Sequence, residues 1–248
     1  MNKLTAIIPT FNEESNIEAV ISSVSFADEI IIVDSFSTDN TLTIAEKYNV
    51  KIIQRNYKNS ASQKNWAIPQ ATHNWILIVD ADERISEKLK NEIIETLKKT
   101  KKNCGFWIRR ENHFMGKKIK FSGWQNDKVF RLFTKNHRYE TKSAHAEIIT
   151  NKNNKTLKNK LTHYTFKSYH HYKNKINQYA IWQAQDLIKT KNNINIFHFY
   201  IKPVFRFLKH YIFMLGFLDG KAGLKLSFLQ AYGVYLRYKK LQELLQKK

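Results

Sequence analysis

Short apolar segments alternate with helical patterns through the first hundred residues. Four segments are apolar almost throughout and predict buried strands, at residues 4–9, 29–34, 50–54 and 75–80. Helices are predicted at residues 17–24, 41–48 and 62–71, and over a later segment with Leu89, Ile93, Ile94 and Leu97 on one face. Ser15 and Glu18 form a capping-box pattern at the first helix. Because such strands need cover on both faces, the alternation predicts an α/β fold with a mainly parallel sheet.

The remainder of the chain has a different pattern. Residues 105–110, 128–133 and 146–150 predict shorter strands, and the Asn/Lys-rich residues 151–160 are expected to form a solvated loop. From about residue 176 the pattern is that of amphipathic helices, among them one over 203–218 and one over 224–245. We therefore predict an α/β domain over residues 1–165 and a helical region over residues 166–248.

Three polar loops follow the first, second and fourth predicted strands, with the sequences TFNEE, DSFSTDNT and DADE. Since ligands bind at the carboxyl ends of parallel strands, we expect these loops to converge. Asp80 and Asp82 suit a hard divalent cation, which would act as a Lewis acid beside a nucleotide leaving group. Asp34 is placed to accept hydrogen bonds from a base or ribose. The alternatives are a solvated turn for the DAD tripeptide and a simple cap for Asp34.

The amino-acid composition excludes several classes of protein. The 248 residues are 42% apolar and 13% aromatic, which is too much for a disordered polycation. Cys104 is the only cysteine, so an intrachain disulfide or a Cys-rich zinc site is excluded and a reducing compartment is favoured. No run reaches the ~18 apolar residues of a membrane-spanning helix, and the apolar run at the N-terminus is too short for a signal peptide. A cytoplasmic protein is expected.

The net charge of +21 is concentrated in the C-terminal part of the chain. Residues 1–150 carry a net charge of +5, whereas residues 151–248 carry 19 basic and 3 acidic side chains, a net charge of +16. Lys202, Arg206 and Lys209 fall on one face of an otherwise apolar predicted helix, which is typical of a helix at a membrane interface. The basicity predicts a polyanionic partner; the alternative is that these helices pack on the sheet with their lysines in water.

Eight segments resemble one family in order and spacing: AIIPTFNEESNIEAVISSV, ADEIIIVDSFSTDNTLTIAEKY, ASQKNWAI, WILIVDADER, GWQNDKVFRLF, HAE, FLDGKAGL and YLRYKKL. They resemble the inverting family-2 glycosyltransferases, most closely those that add β-1,4-glucose to the lipopolysaccharide inner core. The resemblance implies a Rossmann-like GT-A fold, a UDP-sugar donor, a Mg²⁺ or Mn²⁺ ion and single displacement with inversion. It makes residues 1–165 the catalytic domain and residues 166–248 a region associated with acceptor and membrane.

The resemblance also implies roles for individual residues. Pro9, Thr10, Asn12 and Glu13 match the first nucleotide-facing loop, and Asp34 matches the acid that reads uracil. Gln63 and Lys64 match a pair that leans on the nucleotide and diphosphate. The segment Asp80, Ala81, Asp82 matches the metal-binding motif, in which Asp82 binds the ion directly and Asp80 approaches the ribose or a metal-bound water.

The general base has two candidates. An inverting transfer needs a proton acceptor within about 3 Å of the acceptor hydroxyl. The two candidates for this group are Glu147 in SAHAE and Asp127 in GWQND, with Glu147 ranked first. Trp124 is expected either to stack on a sugar ring or to anchor the core. Arg131 is expected to pair with a phosphate or an active-site carboxylate, unless it is a surface strand residue.

His145 and His163 are possible additional metal ligands or, alternatively, packing residues; the metal is assigned to Asp82 and Asp80.

The expected activity is transfer of glucose from UDP-glucose to a lipid-linked, phosphorylated saccharide, an inner-core heptose of lipopolysaccharide. The expected place is the cytoplasmic face of the bacterial inner membrane, bound peripherally to an anionic surface, with no nucleic-acid partner. One alternative is transfer to a peptide or another polysaccharide primer. Another is a non-catalytic basic module that binds nucleic acid or membrane, although acids at three strand ends would repel a polyanion.

Overall fold

The computed structural model describes residues 2–100, 104–140, 148–149, 154–166, 169–189 and 193–246. The chain forms two compact units. The first comprises Met1–Glu111 and Lys128–His163, and the second comprises Asn112–Asp127 and Tyr164–Lys248. Both units are therefore discontinuous in sequence, and each is described separately.

A mixed sheet with parallel and antiparallel strands organises the first unit. The strands are β1 (Leu4–Thr10), β2 (Glu29–Asp34), β3 (Lys51–Gln54), β4 (Trp75–Ile78), β5 (Glu83–Arg84), β6 (Gly105–Phe114), β8 (Lys128–Thr134) and β9 (Lys155–Phe166). Their order is β3-β2-β1-β4-β8-β6-β9-β5. Strands β3, β2, β1 and β4 are parallel, as predicted, whereas β8 runs antiparallel to β4 and β6, and β5 runs antiparallel to β9.

Both faces of β1, β2 and β4 are buried, whereas β3 at the edge of the sheet is only partly covered. In β1, Leu4, Ala6 and Ile8 enter one apolar core and Ile7 enters the other. The helices of this unit are α1 (Ile17–Ser23), α2 (Thr41–Ala45), α3 (Ser60–Ala67) and α4 (Glu87–Lys99), with a 3₁₀ turn at Ile68–Gln70. In α4, Leu89, Ile93 and Leu97 are buried, as their spacing predicted.

The start of α1 corrects one expectation. Asn16 rather than Ser15 is the N-cap residue, and its side chain makes no cap hydrogen bond. The Asn16 side chain is engaged elsewhere, because its Nδ2 donates to Glu13 Oε2 at 2.6 Å and its Oδ1 accepts from Arg84 Nη2 at 3.1 Å. The helix therefore begins one residue later than the capping-box pattern predicts.

The prediction of a solvated loop at residues 151–160 is wrong from residue 155 onward, because Lys155–Phe166 form the long strand β9. Leu157 and Leu161 are buried in the core of the first unit, while Lys155, Lys158 and Lys160 are exposed. An isolated bridge between Tyr139 and Ile148 is what the structure describes of the strand predicted at 146–150. The Asn/Lys composition concealed β9, because one buried leucine every four residues is a weak strand signal.

Leu157→Ala is expected to lower the free energy of unfolding by about 2–5 kcal/mol, as for other buried leucines. Lys158→Ala, at the neighbouring exposed position, is expected to change it by less than about 0.5 kcal/mol. Chemical denaturation of both variants measures the difference. Equal small effects would mean that residues 155–161 form the solvated loop after all.

The second unit is mainly helical. Its helices are α5 (Tyr169–Leu187), α6 (Lys202–Leu208) and α7 (Gly220–Leu245), and β7 (Lys117–Lys118) pairs with the end of β6. Helix α7 packs against α5 and α6. Trp124 contacts the Phe114 ring edge-on, with centroids 6.3 Å apart, and is partly buried against the apolar core of this unit. This favours the core-anchor interpretation of Trp124.

The helix predicted at residues 203–218 is built differently. A π-helix at Phe197–Ile201 leads into α6, and a second π-helix at Lys209–Phe213 follows α6. A 3₁₀ turn at Gly216–Asp219 comes after Leu215, whose φ of 56° breaks the helix. Pro203 lies in the first turn of α6, where its missing N–H is tolerated, but helical structure already begins before it in the first π-helix.

The predicted basic stripe of Lys202, Arg206 and Lys209 does not face outward as a unit. Lys202 Nζ donates to the Tyr238 hydroxyl of α7 at 2.8 Å, and Arg206 Nη2 donates to Gln230 Oε1 at 3.2 Å. These two side chains therefore pack toward α7 and do not form an outward basic stripe with Lys209. Within the part of the chain that the structure describes, no helix is both long and apolar enough to cross a membrane.

Candidate functional site in the first unit

The loops after β1 and β2 interlock, as expected. The Asn12 N–H donates to Ser37 Oγ at 2.9 Å, and Asn12 Oδ1 accepts from the Thr38 N–H at 2.8 Å. The Glu13 N–H donates to Thr41 Oγ1 at 2.8 Å. Asn12 has a φ of 52°, which asparagine tolerates better than most residues. The residues expected to face a nucleotide thus form one surface with the second loop.

Asp34 shapes the second loop. It ends β2 opposite Thr10 of β1 and is fully buried. Its carboxylate accepts from the N–H and Oγ of Ser37 and from Gln54 Nε2. These contacts correspond to the cap interpretation, while base recognition by Asp34 stays a prediction.

Phe36, in the same loop, has a φ of 62° and an exposed ring. Because bulky residues rarely adopt this conformation, the loop carries backbone strain of the kind found at ligand sites.

A charged cluster follows β4, with the partly exposed Asp80 between the buried Lys64 and Arg131. Lys64 Nζ lies 3.0 Å from Asp80 Oδ1, and Arg131 of β8 pairs with Asp80 Oδ2. Arg131 also donates to Glu83 Oε1 at 2.8 Å. Arg131 therefore pairs with two carboxylates and is not a surface strand residue, whereas a role for these groups in an active site stays a prediction.

Glu83 anchors this cluster. It is fully buried, Arg110 Nη1 lies 3.6 Å from its Oε1, and its Oε2 accepts from the Asp80 N–H at 3.0 Å. Glu83 was missed from the sequence, because an acid after DAD looks like one more solvated loop residue. Its pairing with two arginines from distant strands became visible only in the structure.

Burial and neighbouring charges shift the pKa values of Asp80 and Lys64. Burial alone would raise the pKa of Asp80, but the positive charges of Arg131 and Lys64 outweigh it and hold that pKa well below its usual range. Burial lowers the pKa of Lys64, against the opposing effect of Asp80. Asp80 is therefore ionised at neutral pH and is held by two cations.

Asp82 contacts a histidine of β9. Its carboxylate Oδ2 lies 3.6 Å from His163 Nε2, because the antiparallel pairing of β5 with β9 places Glu83 opposite His163. Ala81, between the two aspartates, is buried in the core. From the sequence His163 is only a possible ligand, because the eighty residues between it and Asp82 hide their proximity.

The Asp82–His163 pair fits a divalent cation in its donor chemistry. A carboxylate oxygen and an imidazole nitrogen this close can ligate one ion, and imidazole suits Mn²⁺ better than Mg²⁺. Among the described residues, no group of three or more His, Cys, Asp or Glu side chains is arranged to hold a metal. An ion at Asp82 would therefore need further ligands from a bound substrate.

Gln63 lies beside the second loop. It is almost fully buried, and its Nε2 donates to Ser35 Oγ and to the Arg55 carbonyl, each at 3.2 Å. Its Oε1 has no hydrogen-bond partner within the described part of the chain. A buried acceptor without a donor is uncommon and indicates a place for a ligand or a water molecule.

Neither base candidate is among the described residues of the first unit. Asp127 belongs to the second unit, where its Oδ2 accepts from Asn112 Nδ2 at 2.7 Å. In that unit the Asp219 carboxylate accepts from the N–H groups of Lys120 and Phe121, each at 3.0 Å, and from Ser122 Oγ at 3.1 Å. Asp219 of the FLDG segment therefore pins the loop that leads to Asp127. Glu147 and His145 lie outside the described residues.

A family model supplies the deciding comparison. The model described as "Glycosyl transferase family 2" matches residues 5–177, well over half of the chain. The chain belongs to glycosyl transferase family 2. The expected enzyme class and α/β fold class are thereby confirmed, and the mixed sheet and C-terminal helical region of this glycosyltransferase agree with them.

Named relatives extend the match over nearly the whole chain. An uncharacterized glycosyltransferase of Rickettsia bellii is 31% identical, over 98% of this chain and 87% of its own length. The lipopolysaccharide core biosynthesis glycosyltransferase LpsC of Rhizobium meliloti is 24% identical, over 95% of this chain and 93% of its own length.

Among solved structures, a glucosyl-3-phosphoglycerate synthase from Mycobacterium tuberculosis in complex with Mn²⁺, UDP and glucosyl-3-phosphoglycerate matches with a TM-score of 0.38 and 19% identity. This match covers 45% of this chain and 44% of the synthase.

Proposed function

We propose that this family-2 glycosyltransferase transfers glucose, with inversion, from UDP-glucose to a lipid-linked, phosphorylated saccharide, an inner-core heptose of lipopolysaccharide. The similarity to LpsC along almost the full length of both chains supports this acceptor class. The acceptor lipid would lie in an anionic membrane, with the enzyme bound peripherally at its cytoplasmic face.

The observation that carries the donor proposal is the pairing of opposite charges at the end of β4. Lys64 and Arg131 pair with Asp80, Arg131 also pairs with Glu83, and Arg110 lies 3.6 Å from Glu83. A divalent cation and the diphosphate of a sugar nucleotide carry equal and opposite charges, so together they would add no net charge to this place. Either one alone would add an uncompensated charge in a largely buried place.

Different residues of the chain would bind the cation, the diphosphate and the nucleoside of the donor. Asp82, with His163, would hold the cation, which supplies Lewis-acid stabilisation of the departing diphosphate. Lys64 and Arg131, fixed by Asp80 and Glu83, would present positive charge to the same phosphates without reorganising. The interlocked loops that carry Pro9, Thr10, Asn12 and Asp34 would hold the nucleoside, and Gln63 Oε1 would accept one of its N–H groups.

The general base would come from Glu147 or Asp127. Its carboxylate would remove the proton of the acceptor hydroxyl as that oxygen attacks the anomeric carbon opposite the diphosphate. Inversion follows from this single displacement, because nucleophile and leaving group occupy opposite faces of the sugar.

A donor and acceptor screen tests the proposal. With Mn²⁺ present, we expect UDP-glucose to be hydrolysed faster than other UDP-sugars and much faster than GDP- or ADP-sugars. Addition of a lipid-linked heptose saccharide should convert hydrolysis to transfer, and NMR should show a β-linked product. Preference for a GDP- or ADP-sugar would contradict the donor, and transfer only to a peptide or another primer would contradict the acceptor.

A further inference from the structure

An unusual distribution of polarity marks the helical segment from Ile196 to Phe213 in the second unit. Large apolar side chains spaced three or four residues apart point outward, and several are more than half exposed: Tyr200, Ile201, Val204, Phe205 and Phe213. Phe228 of α7 is likewise 58% exposed. We call these six residues the outer apolar face.

The opposite side of the same segment is polar and faces inward. His198 and His210 are buried, and Lys202 and Arg206 contact α7. The burial of Arg206 near Arg237 even lowers the pKa of the Arg206 guanidinium. This helix therefore has its polar side against its own unit and its apolar side outward, the reverse of a helix on a soluble surface.

The reversal leaves a large apolar area to be covered. Burial of exposed apolar surface contributes roughly 25 cal/mol per Å², so exposed aromatic and aliphatic side chains of this number favour an apolar environment. Exposed patches of this kind mark a membrane or a protein contact.

The positive charge of this segment favours a membrane over a second copy of the chain as the contact of the outer apolar face. The segment from 196 to 228 carries Lys202, Arg206, Lys209, Lys221 and Lys225, whereas its one acid, Asp219, is buried and bonded to the loop at 120–122. Lys221 and Lys225 are exposed. A second copy of this chain would bring like charges together across the contact, while an anionic leaflet attracts them.

We propose that the outer apolar face inserts into the interfacial region of an anionic bilayer, with Lys221 and Lys225 at the headgroups. The inference rests on the proposed function, because it names the surface by which an enzyme with a lipid-linked acceptor meets the membrane. It differs from the sequence-based expectation in one respect: aromatic and aliphatic side chains, rather than a stripe of Lys202, Arg206 and Lys209, make the contact.

Vesicle co-sedimentation of the full chain tests the inference. Wild type is expected to bind vesicles of phosphatidylcholine with phosphatidylglycerol more tightly than pure phosphatidylcholine vesicles. Phe205→Gln/Phe213→Gln should lower the partition coefficient at least tenfold, which corresponds to about 1.4 kcal/mol. A matched pair of exposed apolar residues in the first unit, Tyr57→Gln/Ile149→Gln, should bind as wild type does.

A charge variant separates the two contributions. Lys221→Glu/Lys225→Glu should reduce binding to the anionic vesicles and weaken its dependence on salt, with little effect on pure phosphatidylcholine. Equal sedimentation of wild type and the phenylalanine variant would overturn the proposal. So would a wild-type dimer that binds no vesicles and that the phenylalanine variant dissociates.

Hydrolysis of UDP-glucose without vesicles keeps the two proposals distinguishable. The phenylalanine variant should hydrolyse the donor at the wild-type rate, because its substitutions lie outside the donor-site residues. Vesicle binding without hydrolysis of any sugar nucleotide would refute the proposed donor and leave the membrane surface standing. Hydrolysis without vesicle binding would refute the surface alone.

Discussion

Asp82→Ala is expected to reduce sugar transfer by about 10³-fold or more while the enzyme remains folded. The reason is that Asp82 would be the carboxylate ligand of the cation that neutralises the departing diphosphate, and such charge stabilisation contributes several kcal/mol. EDTA should have the same effect on wild type. Transfer rates at increasing Mn²⁺ concentration, together with circular dichroism of the variant, check the result. Full turnover by chelated wild type would contradict the metal assignment.

Asp80→Asn is the informative comparison for Asp82→Ala. The Asp80 carboxylate pairs with both Lys64 and Arg131, so its removal leaves two largely buried cations short of a counter-charge. Because the Asp80 side chain is about one-third exposed, water reduces this cost. We expect loss of stability as well as activity at Asp80, but loss of activity alone at Asp82. His163→Ala should raise the Mn²⁺ concentration needed for half-maximal rate.

Glu147→Gln is expected to lower kcat by about 10²–10⁴-fold with the donor KM nearly unchanged. A general base contributes only when the acceptor hydroxyl attacks, so its loss spares donor binding. Asp127→Asn is the matched substitution and should have the smaller effect. Steady-state kinetics of both variants, with donor and acceptor varied separately, provide the measurement.

Asp127 also has a structural contact. Its carboxylate accepts a hydrogen bond from the Asn112 amide of the second unit, so Asp127→Asn disturbs that contact whether or not Asp127 is the base. The pH profile of kcat/KM adds a second readout, because the variant that lacks the base should lose the acidic limb of the profile. If Asp127→Asn shows the larger fall in kcat and loses that limb, the base is Asp127.

The sequence by itself determined the parallel half of the sheet and the approximate location of the candidate site. Strands β1, β2 and β4 are nearly uninterrupted apolar runs, and their length distinguishes them from helices without any long-range information. The parallel arrangement then brings the loops after β1 and β2 together, as the contact between Asn12 and Ser37 shows. The local sequence pattern is enough to predict a strand when both faces of that strand are buried.

Only the tertiary structure decided which charges pair and which surfaces face outward. Composition predicts a solvated loop for the start of β9, whereas burial of Leu157 makes it a strand. The spacing of Lys202, Arg206 and Lys209 places them on one face, but whether that face meets water or α7 depends on the partner helix. Likewise Asp80 is neutralised by Lys64 and Arg131, which lie 16 and 51 residues away in the chain. The energy of a charge or an apolar side chain depends on what surrounds it, and distant segments supply those surroundings only when the chain folds.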